Sequence, residues 1–139
     1  MAYLVDASVA VKWLVTEEDS ERAHALLDSD ADLLAPRFVF DEVANVLWKK
    51  CRLGLLQSDD AISRMHQLPG FFDQIVADAD VGKVLALAIK LDHPVYDCIY
   101  LQAALDLGFP LVTADTRLTR MARQIPTLTI HDLAKMDMP

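Results

Sequence analysis

The chain reads as an α/β domain built on a mainly parallel sheet. Three observations predict this. Short apolar runs at residues 3–5, 32–35, 72–76, 110–113 and 127–130 alternate with longer stretches of helical periodicity, as in successive βαβ units. The first and fourth of those runs each end on an aspartate, Asp6 and Asp115. In open parallel sheets, ligands bind in the crevice beyond the carboxyl ends of the strands. Finally, 139 residues at 53% hydrophobic with only 4 glycines are enough to bury a real core, and they exclude disordered and collagen-like classes.

The elements follow in order. Tyr3-Leu4-Val5 is a short buried strand, and Val9 to Leu14 continues from it as a helix. Taken alone, Asp6 is equally suited to capping that helix. Residues 17–28 form a second helix, with Ala23, Leu26 and Leu27 at helical spacing and Glu17, Glu18 and Asp19 near its positive end. A strand at 32–35 is stopped by Pro36. A long helix over 39–53 presents Val39, Val43, Val46 and Leu47, and Gly54 closes it. Glu42 borders that apolar face. Ser58-Asp59-Asp60 caps a helix carrying Ile62, Met65 and Leu68, and Pro69-Gly70 breaks it. A strand at 72–76 leads to a helix at 80–91 that buries Val84, Leu85, Leu87 and Ala88. After Pro94 a helix runs from Tyr96-Asp97 to Leu107 and ends at Gly108. Asp97 shares its face with Leu101, Ala104 and Leu105, which places its carboxylate at the rim of the core. A strand at 110–113 ends in Ala114-Asp115, repeating the arrangement at Asp6. A short basic helix over 116–123 and a last strand at 127–130 complete the chain. No internal repeat, low-complexity tract or linker divides residues 1–139, which read as a single domain.

Charge narrows the function. With 21 acids against 13 bases the formal charge is -8, which argues against holding nucleic acid by bulk positive charge. It leaves room for a nuclease whose acids are neutralised by cations, and it suits a basic protein partner. Cys51 and Cys98 form no ligand or disulfide pattern, so a reducing, cytoplasmic setting is expected. The apolar run after Met1 is interrupted by Asp6 and Lys12. It lacks the features of a signal peptide and is too short for a membrane span.

Asp6, Glu42, Asp97 and Asp115 therefore form a candidate constellation. Four carboxylates drawn together would repel, and a divalent cation would relieve that. His24, His66, His93 and His131 are scattered without zinc spacing, so oxygen ligands point to Mg²⁺ or Mn²⁺. Ser8 and Thr113 each stand two residues from one of the aspartates and could orient it or a bound water. Asp41, Asp73, Asp78, Asp92 and Asp106 read as solvated. Trp13 and Trp48 read as core or interface anchors, and Cys98 as buried and inert. Arg117, Arg120 and Arg123 fit a solvated helix face as well as a phosphate-binding strip.

At this point four motifs resemble a known family. Leu4-Val5-Asp6-Ala7-Ser8-Val9-Ala10-Val11-Lys12-Trp13 is similar to the opening of PIN-domain ribonucleases, in particular VapC-type toxins of toxin–antitoxin pairs. Asp41-Glu42-Val43-Ala44-Asn45-Val46-Leu47 resembles the family's glutamate helix. Tyr96-Asp97-Cys98-Ile99-Tyr100-Leu101-Gln102-Ala103-Ala104 resembles its third acidic motif, and Leu111-Val112-Thr113-Ala114-Asp115-Thr116-Arg117-Leu118 its last. The resemblance covers essentially the whole chain. It implies a three-layer α/β/α PIN-like domain and a homodimer. It also implies metal-dependent endoribonuclease activity on an RNA substrate and restraint by a small cognate antitoxin. Carried over, Asp6, Glu42, Asp97 and Asp115 would be the catalytic and metal-binding acids, with Ser8 and Thr113 in support. The expected reaction is hydrolysis of RNA phosphodiesters by water activated at Mg²⁺ or Mn²⁺. A haloacid-dehalogenase-type phosphatase is the nearest alternative, but it wants a second Asp where Ser8 stands. A receiver domain wants a lysine after a late strand, and a dinucleotide-binding domain wants a glycine cluster in the first turn. A non-catalytic nucleic-acid-binding regulator is the alternative from another class. The acidic balance and the complete quartet speak against it.

Overall fold

Five strands form one sheet in the computed structural model, which describes residues 1–137. They are β1 (Ala2–Val5), β2 (Asp32–Pro36), β3 (Gln74–Val76), β4 (Leu111–Thr113) and β5 (Ile130–Asp132). Their spatial order is β3-β2-β1-β4-β5, and every pairing is parallel. The chain first builds outward from β1 through β2 to β3. It then crosses back and lays β4 on the opposite flank of β1. The direction of winding reverses between β1 and β4, and a crevice opens at the carboxyl ends of strands at such a reversal.

Seven α-helices cover the sheet in a three-layer α/β/α arrangement. They are α1 (Ala7–Leu14), α2 (Ser20–Asp28), α3 (Phe38–Arg52), α4 (Ser58–Gln67), α5 (Val81–Leu91), α6 (Val95–Leu107) and α7 (Thr116–Ala122). Helix α1 packs on α2 and α3, α3 on α4, and α5 along α6. The core is continuous: Leu4, Val5, Leu33, Leu111 and Val112 of the central strands are buried, with Val9, Val39, Val43, Leu47, Leu101 and Leu118 from the helices. The central strands therefore read as unbroken apolar runs, because both faces are covered. Trp13 is an anchor of this core. Its Nε1 donates to the Ala23 carbonyl at 2.9 Å, and its ring meets Phe71 and Phe72. Among the described residues, no helix is long and apolar enough to cross a membrane.

Several elements depart from expectation for identifiable reasons. The strand expected at 72–76 begins at Gln74, because a 3₁₀ turn over Leu68–Phe71 holds the Phe72 N–H to the Pro69 carbonyl. Asp73 then pins the strand entry. Its backbone N–H donates to Leu33 O, and its carboxylate accepts from Leu33 N at 2.7 Å. The last strand lies at Ile130–Asp132 rather than 127–130. It pairs residue for residue with the three residues of β4, and Thr127-Leu128 is taken up in a turn closed by Leu128 N–H to Ile125 O. Leu85, expected inside, is 54% exposed, and Trp48 is likewise exposed. Gly54 has φ of +74°, the left-handed conformation that closing α3 requires. The expected single domain of residues 1–139 includes Met138 and Pro139, which lie outside the described residues.

Candidate active site

Asp6 leaves β1 and caps α1, its Oδ1 accepting from the Val9 N–H at 3.3 Å. Two hydroxyls also donate to it: Ser8 Oγ to Oδ1 at 2.5 Å, and Thr113 Oγ1 to Oδ2. The capping role and the site role thus coexist in one carboxylate. Asp6 is only 5% exposed. Burial raises its pKa to about 6 from the usual 3.8. The three donors oppose that shift, and the nearby charge of Glu42 adds to it.

The same hydroxyls tie Asp6 to the neighbouring strand. Ser8 Oγ accepts from the Ala114 N–H at 2.9 Å, and Thr113 Oγ1 accepts from the Asp115 N–H at 3.0 Å. Each hydroxyl has one proton and gives it to Asp6, so each acts as an acceptor toward the backbone N–H groups that follow β4. Asp115 in turn caps α7, Oδ1 accepting from Arg117 N–H at 2.9 Å and Leu118 N–H at 3.4 Å. The β1–α1 and β4–α7 corners are therefore clasped side by side at the winding reversal.

Glu42 and Asp97 enter from α3 and α6. Burial raises the Glu42 pKa, the Asp97 charge raises it further, and the Tyr100 phenol lowers it. Asp97 sits in the first turn of α6, where the helix dipole favours an anion. His93 Nε2 lies 2.6 Å from Asp97 Oδ2, in a bond where the ring N–H donates to the carboxylate. Arg117 reaches the same oxygen at 3.4 Å and Asp115 Oδ2 at 3.8 Å. Tyr100 is buried, and its hydroxyl finds no partner of good hydrogen-bond geometry. Burial drives its pKa far up, and the nearby charges of Glu42 and Asp6 add to the shift.

Of the four expected acids, Asp6 feels the charge of Glu42 and Glu42 that of Asp97, while Arg117 lies within ion-pair distance of both Asp97 and Asp115. The structure adds three residues that sequence reasoning did not place there. Tyr100 follows Asp97 by three residues on the buried face of α6, a spacing readable in the sequence. His93 stands four before Asp97, but Pro94 between them marks a helix boundary and hides the contact. Arg117 read only as part of a basic patch.

Donor chemistry fits a hard divalent cation. The acids offer oxygen donors, Asp6 and Glu42 among them with pKa values pushed up by burial and by a neighbouring carboxylate, and a buried hydroxyl beside them lacks a partner. Among the described residues no three His, Cys, Asp or Glu side chains converge closely enough to hold an ion as they stand. Asp97 is instead turned toward His93 and Arg117, and Asp6 toward its hydroxyls.

Comparison with known proteins agrees with this fold. A model of the PIN domain matches residues 3–124. The chain belongs to the PIN-domain family. It is 37% identical to Ribonuclease VapC3 of Pyrobaculum aerophilum over 131 residues, covering 92% of this chain and 98% of that protein. The crystal structure of PAE2754 from Pyrobaculum aerophilum superposes with a TM-score of 0.68 at 25% identity, covering 96% of this chain and 85% of that one. VapBC2 from Rickettsia felis, solved bound to a DNA fragment from their promoter, gives a TM-score of 0.67 at 14% identity over 95% and 98% of the two chains. At that identity the likeness is one of fold. PIN-domain ribonucleases are generally dependent on divalent metals.

Proposed function

We propose that this chain is a VapC-type endoribonuclease, the toxin of a toxin–antitoxin pair. The observation that carries the reading is the placement of Asp6 and Asp115 side by side at the winding reversal of a PIN fold. In this reading Asp6, Glu42, Asp97 and Asp115 hold Mg²⁺ or Mn²⁺. Bound there, the cation would neutralise the acids, polarise the phosphodiester and make water a better nucleophile. The chain's own groups prepare the site. Ser8 and Thr113 fix the orientation of Asp6, and His93 fixes that of Asp97. Glu42 has a raised pKa, which suits it to accept a proton from the attacking water.

Three further features support the biological setting. The acidic surface, at -8 overall, suits a small antitoxin with a basic segment. Val81, Leu85 and Ile89 form an exposed apolar line along α5, a face suited to a homodimer. Cys51 and Cys98 are free thiols, as suits a reducing cytoplasm.

The test is RNA cleavage with Mn²⁺ by the wild type and by Asp6→Asn, Glu42→Gln, Asp97→Asn and Asp115→Asn. Each substitution should lower the rate by about a hundredfold or more, roughly 2.7 kcal/mol of transition-state stabilisation. Near-normal rates in two folded variants would remove the quartet from the mechanism.

A further inference from the structure

We propose that α7 and the groove beyond it form a track for the RNA backbone, leading away from the acids on one side of the cut. This deepens the ribonuclease reading and rests on it. Three observations carry it.

The first is the arrangement of positive charge. Arg117, Arg120 and Arg123 recur every three residues, so they follow one side of α7 and its C-cap. All three are exposed. Arg117 stands at the start, its guanidinium 3.4 Å from Asp97 and 3.8 Å from Asp115. From Thr116 to His131 the sequence has no acid.

The second is pairing. Lys12, Arg22, Lys50 and Lys83 are all matched with acids. Among the described residues Arg120, Arg123 and Lys135 have no carboxylate within ion-pair distance, and the same holds for Arg37 at the start of α3 and for Lys49, Arg52, Arg64 and Lys90 on α3, α4 and α5. What sets Arg120 and Arg123 apart is that they stand, with Arg117, in a stretch free of acids from Thr116 to His131, so in a chain carrying 21 acids they make a local positive field against a negative background. Such a field complements a phosphate chain, and it guides that chain toward acids that would otherwise repel it.

The third is shape. A groove of about 880 Å³ opens past α7 along the β5 edge, and Arg123 and Lys135 line it. Tyr3 and His131 line it too and meet edge to face at 5.8 Å. They offer ring surface on which an unpaired base can stack. Asp132 and Asp137 also lie on the groove, the Asp132 carboxylate accepting from the Ala134 N–H at 3.0 Å, so the positive field is carried by the α7 side of the groove. The occupant that matches exposed arginines plus aromatic faces is single-stranded RNA.

The test is binding of a fluorescein-labelled single-stranded RNA by the full chain in EDTA, followed by anisotropy across a salt series. Arg120→Ala/Arg123→Ala should weaken binding roughly tenfold and lower the salt slope by about 1.4, the value for two lost phosphate contacts. The matched pair Lys49→Ala/Arg52→Ala on α3 removes equal charge and should change neither. Both double variants should hydrolyse bis(p-nitrophenyl) phosphate with Mn²⁺ at the wild-type rate, which reports an intact site and fold. Unchanged RNA affinity in the α7 variant would overturn the track, as would an equal loss in the α3 variant. So would normal RNA binding with loss of a co-purifying protein partner, which would make this face a protein interface. If the wild type binds RNA through α7 but cleaves neither RNA nor the small diester, the track stands and the ribonuclease reading fails.

Discussion

Asp6 shows how a buried carboxylate is held at the expense of the fold. It ionises near 3.8 in the unfolded chain and at about 6 in the folded one, chiefly because it is buried. Between those values the folded state holds more protons than the unfolded state. Stability therefore falls as pH rises through that window, and the loss persists above it. In cation-free protein at neutral pH the cost is on the order of 3 kcal/mol. Asp6→Asn carries no charge and escapes it. That variant should melt higher than the parent at about pH 7.5 in EDTA, and the gain should shrink toward zero at about pH 4.5. Calorimetry at the two pH values checks this, and a gain independent of pH would mean the charge is not what destabilises Asp6. The same shift sets an acid limb for the reaction. On the proposed reading Mn²⁺ would compete with a proton for Asp6, so binding measured by titration calorimetry should weaken as pH falls through about 6.

Hydroxyls turn two separate corners into one site at the scale of the elements. Thr113 gives its proton to Asp6 and receives the Asp115 N–H, so one buried side chain sets the spacing between β1–α1 and β4–α7. Thr113→Val keeps the volume and deletes both bonds. It should lower stability by about 1–3 kcal/mol through the unsatisfied groups. It should also cut RNA cleavage with Mn²⁺ by about tenfold, one lost hydrogen bond's worth of positioning. Denaturant melts beside cleavage rates test this, and full activity would show that the clasp is not needed to hold Asp6. These elements were largely legible because period and punctuation agreed: Asp6 and Asp115 each follow an apolar run and open a helix. What was not legible depends on partners distant in sequence. Residues 127–130 have strand composition, yet register with the short β4 selects Ile130–Asp132. Leu85 carries the right periodicity for burial, but among the described residues no element covers it. The pressure of the Glu42 charge on Tyr100, and the contact of Arg117 with Asp97, join segments far apart in the chain, so local pattern gives no sign of them.

Across the whole molecule, the distribution of acids and histidines bears on how the phosphodiester breaks. Attack by the substrate's own 2′-hydroxyl calls for a general base and a general acid beside it, most often a pair of histidines. This chain has four histidines. His93 is held against Asp97 at 2.6 Å, and His131 lines the groove past α7. His24 and His66 belong to α2 and α4. No pair therefore flanks the acids, and the carboxylates are the groups gathered there. Their chemistry suits water as the nucleophile, in line at phosphorus, with the 3′-oxygen leaving. The expected products carry a 5′-phosphate and a free 3′-hydroxyl. A substrate with one 2′-deoxy nucleotide at the cut should still be cleaved, more slowly if that hydroxyl aids recognition. End-group analysis of the products, run beside the deoxy-substituted RNA, reads the outcome directly. A 2′,3′-cyclic phosphate together with loss of cleavage at the deoxy site would place the nucleophile on the substrate, and the four acids would then need a different role.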